Sequence, residues 1–415
     1  MANITLDTSG IDGSPHDSSA QIMEMDREYV MGTYARQEVV FVRGQGTCLW
    51  DAEGKEYLDF VGGIAVVQVG HCHPAVVHAI THQARTLMHV SNLYHNPLQA
   101  ELARKLCHLS GMEKAFFCNS GTEAVECALK IARKWGKQKR GAECVEIVTF
   151  RGSFHGRTFG AVSATAQEKY QAPFAPVVPG FRYAHLNDIE SVKSLVSDRT
   201  CAVMVEPIQG EGGVRPADHS FLRELRALCD EAGVLFILDE IQCGMGRTGT
   251  FLASQGAAVQ GDIVTMAKGI ADGVPMGCCL ARGDAATTLV PGDHGSTFAG
   301  QPLACAAALA TIEVVEEERL MEHAVTVGAH LAQGLRSAAR ASGGMKEVRG
   351  AGLMLAVELA SPVARAVVKM MLSAGVVVNA TGDTAIRLVP PLNVTTEECD
   401  RCISTLTEVL ASLGA

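Results

Sequence analysis

Two periods alternate along most of this chain. Short apolar runs at 114–118, 145–150, 201–205, 234–238, 262–266 and 277–281 are too brief for helices and too uniform for one-faced strands, so they predict strands buried on both faces. Between them lie helical periods near 74–88, 97–110 and 218–232. The clearest follows Thr122, where Ala124, Cys127, Ala128, Ile131, Ala132 and Trp135 form one stripe at i, i+3, i+4, i+7, i+8 and i+11. This alternation predicts an α/β fold around a mostly parallel sheet. From Tyr34 to Phe60, turn signals such as Arg43-Gly44-Gln45-Gly46 punctuate a small antiparallel meander. From about 303 the pattern becomes one long helix, then mixed elements such as 375–379 and 386–390. The expected layout is a disordered tail over 1–20, the first part of a small domain over 21–73, a large domain over 74–302, and the rest of the small domain over 303–415.

Composition narrows this picture. A chain of 415 residues is too long for one compact core. With 47% apolar and only 19% charged residues it suits a protein that buries further surface between subunits, so an oligomer is expected. The net charge of -10, with scattered basic residues, lacks the footprint that nucleic acid or an anionic membrane requires. No apolar run reaches the length of a spanning helix. The first twenty residues hold three Asp and no Lys or Arg, unlike a signal or transit peptide, and cysteine usage, that of a reducing compartment, makes the cytoplasm the default location. Most of the fourteen cysteines stand singly in apolar runs (Cys127, Cys201, Cys229, Cys305), as buried thiols do. His71-Cys72-His73 and Cys399-Asp400-Arg401-Cys402 have no second cluster at ligand spacing, which favours structural roles and no metal.

The chemistry gathers at strand ends. Polar loops follow four strands, three of them Gly-containing: Arg151 to Thr158, Glu206 to Gly213, Asp239 to Gln242, and Lys268-Gly269. Asp239 closes one apolar run and Lys268 follows the next, which suggests a site combining an amine nucleophile with a buried anion. A buried carboxylate needs a cationic partner, and no Lys or Arg adjoins Asp239 before Arg247. A helix cap or an ordinary ion pair is the competing reading. Gly121 and Thr122 open the clearest helix, where free N–H groups suit a phosphate, while simple N-capping by Ser120 or Thr122 remains open. Gly244 to Gly249 matches G-x-G-x-x-G and supplies an alternative class, a nicotinamide-dependent oxidoreductase. Five residues separate it from the strand and no good helix follows, so the match lacks its context.

Taken together, Asn119-Ser120-Gly121-Thr122-Glu123-Ala124, Ser153-Phe154-His155-Gly156-Arg157-Thr158, Glu206 to Gly212, Asp239-Glu240-Ile241-Gln242, Ala267-Lys268-Gly269 and Gly295-Ser296-Thr297-Phe298 resemble the class III, fold-type I aminotransferases that depend on pyridoxal 5'-phosphate. The likeness runs from about Tyr34 to the end. It implies a large domain with a mostly parallel seven-stranded sheet and a smaller α+β domain. It implies that Lys268 carries the coenzyme as a Schiff base, that Asp239 pairs with the ring nitrogen, that Gln242 faces the ring hydroxyl, and that Phe154 and Ile241 sandwich the ring. Gly121 and Thr122 would hold the phosphate with Thr297 of the neighbouring subunit, making a homodimer part of the site. Arg157 and Arg387 match the class's substrate arginines, Glu211 the carboxylate that masks Arg387, and Ser296 a contact to acylated substrate. Gly63-Ile64-Ala65-Val66, Gly70 to Pro74, Ser91 to Tyr94 and Gly292 to Thr297 point within the class to transfer from the ω-amine of N2-acetylornithine to 2-oxoglutarate, a step of arginine synthesis. Ornithine, succinylornithine, succinyldiaminopimelate and 4-aminobutyrate are the alternatives. Ile241 stands where valine is common, and Ala271 to Pro275 replaces a more glycine-rich loop.

Overall fold

A computed structural model of the chain describes residues 18–414. Residues 1–17 of the expected tail lie outside the described residues; its last two, Ser19 and Ala20, already belong to a helix, Ser19–Tyr29, capped by Ser18. The large sheet has seven strands in the order Lys114–Cys118, Gly277–Ala281, Ile263–Met266, Leu235–Asp239, Thr200–Val205, Glu146–Phe150, Phe181–Ala184. Gly277–Ala281 runs antiparallel to both its neighbours, and the other neighbours pair in parallel. The strand Phe181–Ala184 is one the apolar pattern did not announce, since only Ala184 in it is buried.

Strand order explains where a ligand belongs. From Glu146–Phe150 the chain moves to the outer strand Phe181–Ala184, then returns to Thr200–Val205 and proceeds the other way to Leu235–Asp239 and Ile263–Met266. The order therefore reverses between Glu146–Phe150 and Thr200–Val205, and a crevice opens beyond the carboxyl ends at that reversal. The central strands are held by burial on both faces: Phe236, Ile237 and Leu238 are fully enclosed, each stabilising by about 1.5–3 kcal/mol relative to exposure.

The helix Gly121–Arg140 lies on one face of this sheet. Ala124, Cys127, Ala128, Ile131 and Ala132 of its apolar stripe are buried. Glu123 in its first turn and Lys137, Lys139 and Arg140 in its last oppose the helix dipole at each end.

The remaining segments form a second layer beside the crevice. The meander Phe41–Gln45, Cys48–Asp51, Glu56–Asp59 gains a fourth, parallel strand from Val376–Val377. Met345–Ala351, Met354–Leu359, Ala385–Leu388 and Asn379–Ala380 form another antiparallel sheet, covered by Leu320–Ser342 and Ala364–Ser373, against which Thr396–Leu413 packs in turn. Where one long helix was expected from 303 there are two, Pro302–Glu317 and Leu320–Ser342, because Arg319 takes the left-handed conformation (φ +53°) between them. Cys399 and Cys402 are buried in the last helix. His71 pairs with Asp59 at 2.8 Å and His73 with Glu318 at 3.1 Å, so both histidines beside Cys72 are engaged. All fourteen cysteines are free thiols.

Candidate active site

The crevice holds a cavity of about 380 Å³ whose lining draws on every strand-end loop singled out in the sequence. Lys268 is at its base, first residue of the turn Lys268–Ala271, with φ +49°. A non-glycine residue held there carries about 1–2 kcal/mol of strain, which the surrounding packing must impose. Burial, set against the attraction of Glu211, lowers the pKa of its amine to about 8.

Asp239 is 3% exposed. One carboxylate oxygen accepts from the Ile241 N–H and the Thr265 hydroxyl, both at 3.1 Å. The other meets His155 Nδ1 at 2.7 Å. The cation that sequence reasoning looked for near Asp239 is thus a histidine 84 positions earlier, not Arg247. Burial opposes charge on His155, but the Asp239 hydrogen bond and the charges of Asp239 and Glu206 outweigh it and raise its pKa. Its Nε2 is buried without a partner among the described residues. Glu206 accepts from the Phe154 N–H (2.9 Å) and the Gly210 N–H (3.1 Å); burial and Asp239 push its pKa to about 7 against the pull of His155.

The helix start resolves the two readings of Ser120 to Thr122. Ser120 is the cap, its side chain accepting from the Glu123 N–H at 3.4 Å. The Thr122 hydroxyl accepts instead from the Arg157 N–H (3.1 Å) and the Thr158 N–H (3.2 Å), stapling the 156–158 loop to the helix. Gly156 is required there: with φ +133°, an added Cβ would stand 2.3 Å from the Thr122 oxygen. Gly121 and Thr122 line the cavity with first-turn N–H groups that no helical carbonyl can take, an anion cradle in the same cavity as Asp239.

Arg387, 1% exposed, comes from the second layer and stands behind the lining, in contact with two of its residues, Glu211 and Gln242. It is paired with Glu211 and donates to Gln242 Oε1 and Asn379 Oδ1, each at 3.2 Å. Arg387 overcomes the burial penalty on Glu211 and lowers its pKa. Phe154 and Ile241 line the cavity as well, while Arg157 is exposed at its mouth. Ser296 and Thr297 are not brought to it. Ser296 accepts from Asn119 Nδ2 at 2.9 Å outside the lining, and Thr297 is exposed. Sequence reasoning did not single out His155, Glu206 or Tyr170; the first two lay inside quoted motifs, and Tyr170 carried no local signal. Gly244 to Gly249 is a loop followed only by the turn Ala253–Gly256, so it opens no dinucleotide-binding helix.

A family model described as Aminotransferase class-III matches residues 31–410. The acetylornithine aminotransferase of Methanocaldococcus jannaschii is 46% identical over 391 residues, covering 94% of this chain and 98% of that protein. A solved ornithine aminotransferase from Toxoplasma gondii, described with partial occupancy of PLP at its active site, superposes with a TM-score of 0.93 at 33% identity, covering 100% of this chain and 99% of that one. An acetylornithine aminotransferase structure from Elizabethkingia anophelis gives 0.86 at 32% identity over 95% and 100%.

Proposed function

The chain belongs to the class-III aminotransferases, and from that premise we propose that it transfers the ω-amino group of N2-acetylornithine to 2-oxoglutarate, in arginine synthesis in the cytoplasm. The enzyme is a pyridoxal-phosphate-dependent aminotransferase. Fold likeness does not separate ornithine from acetylornithine, because solved enzymes of both names superpose on this chain. Identity of 46% to an acetylornithine aminotransferase favours the acylated substrate.

The residues present suit the coenzyme. The cavity offers an anion cradle at Gly121 and Thr122, a carboxylate on Asp239 that has no Lys or Arg partner among the described residues, and an amine on Lys268 of lowered basicity. When bound, pyridoxal phosphate supplies an aldehyde for amines and a ring that takes up the electrons released as a C–H bond beside nitrogen breaks. Asp239, oriented by His155 and Thr265, would hold a cationic ring nitrogen. Phe154 and Ile241 would enclose the ring and exclude water. Gln242 would donate to a ring hydroxyl. The Lys268 amine would take up and return the proton at the substrate carbon, a task suited to a pKa near working pH.

The observation that carries the substrate reading is the Arg387–Glu211 pair beside Lys268. An ω-amine presents an apolar chain to this part of the cavity, and the pair stays closed. Glutamate presents a second carboxylate, which Arg387 grips once Glu211 turns away. Arg157 receives the distal carboxylate, and Ser296, outside this chain's own cavity, would reach the acyl group from a second copy. Thr297, exposed beside the apolar Phe298 (60% exposed), reaches the phosphate of a second copy in a homodimer; Leu93 and Tyr94 (83% and 67% exposed) are further apolar side chains for that interface to cover. The test is a half-reaction: purified holoenzyme is mixed with N2-acetylornithine, ornithine and 4-aminobutyrate, and loss of the coenzyme's visible band is timed. Fastest conversion by N2-acetylornithine is expected; conversion by 4-aminobutyrate alone overturns the substrate. Borohydride treatment should leave a pyridoxyl group on Lys268, and a chain without it refutes the lysine's role.

A further inference from the structure

Arg157 is the arginine of the cavity lining, and its surroundings differ from those of Arg387 behind the wall. It is exposed at the mouth and has no carboxylate partner among the described residues, so its charge is not neutralised. What holds it is aromatic: its guanidinium carbon lies 4.2 Å from the Tyr170 ring centroid and 5.3 Å from that of Phe154. The two rings meet edge to face, with centroids 5.6 Å apart and planes at 76°. Phe154 and Arg157 line the cavity and Tyr170 does not.

The Tyr170 ring is itself fixed. It stands on the turn Glu168–Gln171. Gln171 Nε2 donates to the Thr165 carbonyl (2.7 Å) and lies 3.0 Å from the Tyr183 hydroxyl, while Gln167 Nε2 donates to the Ser153 carbonyl (2.9 Å). These bonds tie the turn to the loop that carries Phe154. The Lys169 ammonium shares the same ring, 4.7 Å from its centroid.

An aromatic face restrains a guanidinium without cancelling its charge, whereas a carboxylate does both. Restraint before binding removes side-chain ordering from the binding step. We propose that Tyr170 is a specificity-determining positioning residue: its ring holds Arg157 open at the mouth as a preformed receptor for the carboxylate at the far end of an ω-amino substrate. Unlike Arg387, this arginine needs no partner to leave before it binds. The inference rests on the reading of Arg157 above, in the broad form that the substrate is a carboxylate-bearing ω-amine.

The experiment compares N2-acetylornithine with its carboxamide, which differs only in lacking the distal charge, in half-reactions of the holoenzyme. The readout is the acid-to-amide ratio of kcat/KM, with coenzyme content per subunit as a second measure. Tyr170→Leu is expected to shrink the ratio about fivefold, mostly through KM of the acid, while Tyr170→Phe keeps it within about twofold. In an Arg157→Gln background the ratio is already low and Tyr170→Leu shrinks it no further. Equal losses on acid and amide overturn the proposal, because they report a looser Phe154 instead of a displaced arginine. A full Tyr170→Leu effect on the ratio in the Arg157→Gln background overturns it too. If wild-type enzyme prefers 4-aminobutyrate, it is the substrate reading that fails, and the same comparison with 4-aminobutyrate and its carboxamide decides the role of Tyr170.

Discussion

Two arginines of this protein are almost completely enclosed, and their surroundings are opposite. Arg387 stands just behind the cavity wall and is met by a carboxylate, Glu211, with neutral partners on either side. Arg247 lies behind the Lys268 turn and has no carboxylate in contact. It donates to the carbonyls of Leu353 (3.2 Å) and Pro390 and to Gln68 Oε1 (2.8 Å). Burial lowers its pKa to about 9. The acid that answers it is Asp272, acting across Gln68: Asp272 accepts the N–H groups of Gln68 and Val69, and burial raises its pKa. A side-chain carboxylate can rotate away and return, so Arg387 can exchange partners during turnover. Backbone carbonyls cannot, so Arg247 is a bracket that ties the lysine turn, the 244–249 loop and the second layer into one body. The closeness of that junction is visible at Gly352 (φ +52°), where an added Cβ would stand 2.5 Å from the Arg247 carbonyl oxygen.

The contrast is broken most severely by removing each cation. Arg247→Met strands three buried acceptors, at about 1–3 kcal/mol each, so apparent stability should fall by several kcal/mol and coenzyme should be lost on dialysis. Arg387→Met also strands Glu211, Gln242 and Asn379, so it should cost some stability, but less than Arg247→Met because the Glu211 carboxylate lines the cavity and can turn toward water. Its main effect should be a loss of about 10²–10³ in kcat/KM for glutamate, the worth of one charge-assisted carboxylate grip of roughly 3–4 kcal/mol, while the ω-amine half-reaction is largely kept. Thermal unfolding paired with the two half-reactions separates these outcomes. Equal destabilisation by both would erase the distinction.

A smaller effect is expected from Glu211→Gln. Without the masking charge, glutamate should bind about tenfold better relative to the ω-amine, read as the ratio of the two KM values. The same substitution sharpens a pH test. Lys268 is lowered by burial from 10.5 to about 8, with Glu211 resisting. Coenzyme uptake by apoprotein, which needs the neutral amine, should therefore rise through about pH 8 and level off. Glu211→Gln should move that rise to lower pH, and Arg387→Met to higher pH, since Arg387 pushes the amine the other way. Apoprotein stability should climb between pH 8 and 10.5, where the unfolded chain still holds the proton that the folded chain has shed. Smallest is Thr265→Val, which removes one 3.1 Å bond to Asp239 and should weaken coenzyme binding by about 1 kcal/mol, roughly fivefold, by equilibrium titration.

Much of the site was legible before any coordinates. The runs ending in Asp239 and before Lys268 are neighbours in the sheet, as their position in the βα alternation implied, and the helix stripe from Ala124 is buried as its period required. The gathering of strand-end loops around one cavity followed from the same reading. Less legible was the split at Arg319, because Pro302–Glu317 and Leu320–Ser342 are both apolar enough to read as one helix. Phe181–Ala184 was missed because an edge strand with one buried residue carries little hydrophobic signal.

Sequence alone determined most of the elements of the large sheet and the end of the sheet at which reactive groups collect, because hydrophobic period and turn chemistry are properties of neighbouring residues. It also carried the family likeness. Only the folded chain decided how charges are paired. Asp239 takes its proton partner from 84 positions away, Arg387 its carboxylate from 176, and Arg247 its amide from 179. Partners so distant are chosen by strand order and loop approach, and Coulomb and hydrogen-bond energies fall off too steeply for any local pattern to encode them.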